Sequence, residues 1–74
     1  MKIYVRYDWK RRRVFLSFKE TGQTVSYSVR SPRQTSKLLD TIRFLKDCGH
    51  TFYISRSFQR QGLLREIKQV IHDE

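Results

Sequence analysis

Acidic residues are scarce in this chain, and so are the residues that staple or punctuate a small fold. It has seven Asp and Glu, three glycines, one proline and one cysteine in 74 residues. The lone Cys48 rules out an intrachain disulfide and gives no ground for secretion. Two histidines, His50 and His72, fall short of a four-ligand zinc set, so no metal is expected. No apolar run approaches the ~20 residues that span a bilayer. The N-terminus "MKIYVRYDWK" lacks the apolar stretch of a signal peptide. The expectation is a soluble, cytoplasmic protein without a membrane partner. Scarce Pro and Gly, with apolar residues in patterned runs, argue against disorder.

Catalytic motifs are missing too. No Walker loop, nucleophile elbow or dinucleotide fingerprint occurs, so neither a cofactor nor an enzymatic activity is expected. One grouping merits weighing. His50, Tyr53, Arg56 and His72 are residue types that small basic ribonucleases use for acid–base chemistry beside phosphate. Nothing in their spacing requires them to converge.

What the chain has in excess is positive charge. Sixteen Lys and Arg give a net charge of +9. Residues 1–33 hold nine cations and two acids, whereas residues 34–74 hold seven cations and five acids. The asymmetry points to an anionic partner engaged mainly by the first half: nucleic acid, or an acidic protein surface. At this length a single domain, 1–74, is expected, near the lower limit for one self-sufficient core, which leaves a homodimer open.

Period-two alternation marks the first strands. Ile3, Val5 and Tyr7 alternate with Lys2, Tyr4 and Arg6 over 2–8. Val14, Leu16 and Phe18 alternate with Arg13, Phe15, Ser17 and Lys19 over 13–19. "DWKRRR" connects the two without a glycine, whereas "ETGQ" reads as a turn, because Gly22 can adopt positive φ. A third strand over 24–30 sets Val25, Tyr27 and Val29 against Thr24, Ser26, Ser28 and Arg30. "SPRQ" then opens a helix: Ser31 as cap, Pro32 at the first turn, and Gln34 placed to close a capping box. Leu38, Leu39, Ile42 and Leu45 form its apolar stripe, and Gly49 stops it. "TFYISR", 51–56, reads as a fourth strand, free to pair in parallel after the helical crossover. "GLLREIKQVIHD" reads as a second helix with an inner stripe of Leu63, Leu64, Ile67, Val70 and Ile71. Ser57 or Gly62 marks its start. Cys48 is expected at the core edge, and Trp9, at the end of the first strand, caps the core or anchors a partner.

The fold class is therefore α+β: a three-stranded antiparallel meander, a helix, a fourth strand and a C-terminal helix, with both helices on one sheet face. The opposite face would display Lys2, Tyr4, Arg6, Arg13, Phe15, Ser17, Lys19, Thr24, Ser26, Ser28 and Arg30, beside the turn Lys10 to Arg13. On that reading Arg6, Lys10, Arg11, Arg12, Arg13, Lys19 and Arg30 contact phosphates. Tyr4 and Phe15 stack on bases. A weaker second group, Arg56, Arg60 and Arg65, would hold an anion at the start of the last helix.

In outline, the meander followed by a helix over residues 2–48 is similar to three-stranded DNA-binding domains of the AP2 and integrase-arm type. That similarity implies strands in the major groove. "RVFLSFKE" lacks the glycines of RNA-recognition motifs, and the element order differs from theirs. In size, charge and lack of motifs the chain also resembles phage and mobile-element inhibitors such as anti-CRISPR proteins. That resemblance implies a host protein or ribonucleoprotein as partner.

Overall fold

The computed structural model describes residues 1–72. Asp73, expected in the last helix, lies outside the described residues. The elements run β1 (Lys2–Asp8), β2 (Arg13–Phe18), β3 (Thr24–Ser28), α1 (Pro32–Asp47), β4 (Thr51–Ile54) and α2 (Gln61–His72). They form one mixed sheet in the order β3-β2-β1-β4. β1–β2 and β2–β3 are antiparallel, and β4 lies parallel to β1 after the α1 crossover.

The alternation sorts the side chains as the periodicity requires. Ile3, Val5, Val14 and Leu16 are essentially fully buried on one face. Leu38 and Ile42 of α1 and Leu63, Ile67 and Val70 of α2 pack onto them as one cluster. Both helices therefore share a sheet face, and no polar or charged residue is buried among the described residues. Phe58, in the loop before α2, also joins the core and stacks on Tyr7 with centroids 5.4 Å apart. No pattern announces Phe58, because an isolated aromatic in a loop has no periodicity to read.

The α1 termini follow from local chemistry. Ser31 Oγ accepts the amide hydrogen of Gln34 at 3.3 Å, and Pro32 occupies the first turn. The expected capping box closes only halfway. Gln34 Oε1 accepts from the Ser28 amide at 2.8 Å instead of from the Ser31 amide, and so ties the helix start to the edge of β3. At the far end Gly49, at φ +93, lets the Gly49 amide reach Lys46 O and the His50 amide reach Leu45 O.

Several boundaries differ from those the sequence predicts. β3 stops at Ser28, because the chain must turn to present Ser31 as a helix cap. Arg30 therefore lies in a turn, exposed, with its amide on Ser28 Oγ. β2 ends one residue before Lys19, and β4 ends at Ile54, which leaves Arg56 in the following turn. α2 starts at Gln61, close to the later of its two expected starts. Cys48 is exposed at the α1 C-terminus instead of at the core edge. Trp9 is 58% exposed on the β1–β2 connection and takes no part in the core. Among the described residues no helix is long and apolar enough to cross a membrane.

Candidate nucleic-acid interface

The sheet face turned away from the helices is organised in rows that run across the strands. One row is Thr24, Ser17, Tyr4 and Tyr53. The next is Ser26, Phe15 and Arg6, and the third is Ser28, Arg13 and Asp8. These rows follow from register: residues that alternate outward on each strand fall opposite one another.

Within the rows, cations lie against rings or hydroxyls. The Arg6 guanidinium sits over the Phe15 ring at 5.0 Å from its centroid. The Lys19 ammonium lies 5.7 Å from the centroid of Tyr4, so Lys19 reaches this face from just beyond the end of β2. Arg13 Nε donates to Ser26 Oγ at 3.0 Å. Tyr4 and Tyr53 stack with centroids 5.4 Å apart and planes at 27°. Such pairings hold long side chains in place on an exposed surface and restrict their freedom before any ligand arrives.

The β1–β2 connection, Trp9 to Arg12, extends this face. It turns without glycine because Asp8 organises it. Asp8 Oδ1 accepts from the Lys10 amide at 3.0 Å and the Arg11 amide at 3.3 Å. Asp8 Oδ2 lies 3.8 Å from Arg11 Nε. Arg12 closes the turn at φ +54, a left-handed conformation that side-chain-bearing residues rarely take. Lys10 Nζ is 5.8 Å from the Trp9 ring centroid. Lys10, Arg11, Arg12 and Trp9 are all exposed.

The structure thus brings together Tyr4, Arg6, Arg13, Phe15 and Lys19 on one face, with Lys10, Arg11 and Arg12 at its end. It sets Arg30 apart from the strand rows: Arg30 follows Val29, whose amide donates to Arg12 O, so Arg30 stands beside the basic turn instead. The register also adds two members that the expected outward set leaves out, although the alternation of β1 already points Asp8 to this side. Asp8 is an acid on this face, engaged with turn amides. Tyr53 is an aromatic, 43% exposed beside Tyr4 at 41%. The signal for Tyr53 is its position as second-to-last residue of a strand pairing in parallel with β1.

The second arginine group is only partly assembled. Arg60 precedes α2 and accepts the Leu64 amide on its carbonyl, and it shares a groove with Arg65 and the acid Glu66. Arg56 does not line that groove. Of the four residues weighed for acid–base chemistry, Tyr53 faces away from the helices, whereas His72 ends α2 on the other side of the sheet. His50 Nδ1 is buried with no hydrogen-bond partner among the described residues. Comparison with protein-family models, with curated proteins and with solved structures returns no match to this chain.

Proposed function

We propose that this chain is a non-enzymatic, cytoplasmic nucleic-acid-binding module that presents its helix-free sheet face and the Lys10–Arg13 turn to a polyanion. One observation carries the reading. Register gathers Arg6, Arg13, Lys19 and the rings of Tyr4 and Phe15 on one open face, and the acid in its rows, Asp8, is already engaged by turn amides. Cations displace condensed counterions from phosphates, and hydroxyls such as Ser17 and Thr24 donate to phosphate oxygens. The like charge that opposes folding is thereby concentrated where a ligand neutralises it.

The test replaces Arg11, Arg12 and Arg13 together by Gln and titrates DNA and RNA oligonucleotides across a range of salt. Affinity should fall for all sequences, and the slope of log K against log salt should flatten by about 0.9 for each phosphate that is no longer neutralised. A triple variant with the parental affinity and slope sinks the reading.

A second reading rests on Trp9, exposed at the tip of the basic turn. Exposed tryptophans recur as anchors of protein interfaces. On that reading the chain is a phage-type inhibitor that masks an acidic or ribonucleoprotein surface. It then binds bare nucleic acid poorly, survives nuclease treatment in complex with its partner, and loses that partner on Trp9→Ala.

A further inference from the structure

We propose that the open face takes a single strand, not a duplex, and that Tyr53 is the residue on which its base stacks. This rests on the nucleic-acid reading and sharpens it.

The width of the sheet disfavours a groove. β4 adds a fourth strand to the meander, and neighbouring strands lie about 4.8 Å apart, so the outer strands are about 14 Å apart before side chains are counted. The major groove of B-form DNA is only about 12 Å wide. A duplex laid flat against the face would offer phosphates, for which aromatic rings have no use. Its bases are stacked on one another and present no free ring surface. Exposed rings beside cations suit unpaired bases strung on a charged backbone.

The geometry then distinguishes among the rings. Phe15 has Arg6 over it, so a base arriving there meets the guanidinium plane. Tyr4 stands between Tyr53 on β4 and Lys19 just past β2, with both neighbours against its ring. Tyr53 differs. β4 is the edge strand, so Tyr4 covers Tyr53 from the β1 side and no strand lies beyond it among the described residues. Lys19, Tyr4 and Tyr53 form a ladder that ends in a ring with one uncovered side. Tyr4 and Lys19 act as its support and fix its orientation. Lys2, opposite Thr51 in the same strand pair, lies next to the ladder to meet the adjoining phosphate.

The experiment is a fluorescence-anisotropy titration of the full chain at one fixed salt concentration. The probes are oligothymidylate and oligouridylate of about 12 nucleotides, matching the usual footprint of such surfaces, and a duplex of the same length. The single strands should bind more tightly than the duplex. Tyr53→Ala should weaken single-strand binding about 5- to 150-fold, the loss expected when one stacked base is released. Tyr53→Phe should keep it, because only the ring is used. Tyr53→Trp, placed in a Trp9→Phe background, should show fluorescence quenching on oligothymidylate. Tyr53→Phe and Tyr53→Trp keep the ring against Tyr4 and should melt with the parent, whereas Tyr53→Ala gives up that pair and should melt a few degrees lower, so its binding is read well below its own transition. Parental single-strand affinity in Tyr53→Ala overturns the inference. So does a duplex that binds as tightly as the strands, although that result leaves the nucleic-acid reading standing. No binding to any probe overturns both.

Discussion

The two faces of this sheet are built from the same four strands by alternate residues, yet one is sealed and uncharged and the other is open and cationic. The covered face is apolar: Ile3, Val5, Val14 and Leu16 lie sealed from water under the two helices, with the rings of Tyr7, Phe18, Tyr27 and Phe52 packed around them and no cation among them. The open face is aromatic, cationic and hydroxylated, and its side chains satisfy one another in pairs. Every step of one residue along β1 or β2 crosses from one to the other. A chain this short has no spare segment to devote to binding. On the proposed function it would separate stability from recognition across the thickness of one sheet, and substitutions on either face should act independently.

The strongest way to break that comparison is to change neighbours on β2. Leu16→Ala should cost about 2–5 kcal/mol of unfolding free energy in a chemical-denaturation experiment, enough to threaten the fold of so small a domain. Ser17→Ala, one residue away, should stay within about 0.5 kcal/mol of the parent. Comparable losses at the two positions would mean that the open face is structural after all. Smaller is the effect at the seam between sheet and α1. Ser31→Ala should cost about 1 kcal/mol by removing the cap on the Gln34 amide, read as a lower melting temperature with nucleic-acid affinity preserved. Smallest is Arg12→Gly, which relieves the left-handed backbone at φ +54 and should stabilise by about 0.5–1 kcal/mol while weakening binding through the missing cation. Opposite signs at one residue would sharpen the separation. A destabilised Arg12→Gly would show that its side chain holds the turn together.

The fold is legible in the sequence where a pattern has room to repeat. Seven residues of β1 and six of β2 are enough for alternation to assign a face to each side chain, and the Ser31–Pro32 start of α1 is a local matter of caps. The departures share a cause: tertiary context that no short window contains. In sequence β3 extends too far because Val29 continues its apolar set, but the need to reach the Ser31 cap bends the chain first. Trp9 reads as a core residue because it is large and apolar. Its place in a four-residue turn, set by Asp8 and Arg12, carries it outward. Four residues of β4 do not put Tyr53 beside Tyr4, since the partner strand lies at the opposite end of the sequence and only the crossover fixes the register.

The Gln34–Ser28 bond has a bearing on self-association. The even residues of β3 turn their backbone groups away from β2, and the Ser28 amide is held by Gln34 while Arg13 Nη2 donates to the Ser26 carbonyl at 3.5 Å. A foreign strand arriving at that margin finds two of its anchorage points taken, whereas β4 shows no such guard among the described residues. Polymers need two sticky ends and a closed pair needs one, so any joining of copies through their sheets should stop at two. Such a pairing would also bury the uncovered side of Tyr53, so dimer and nucleotide would compete for the same margin.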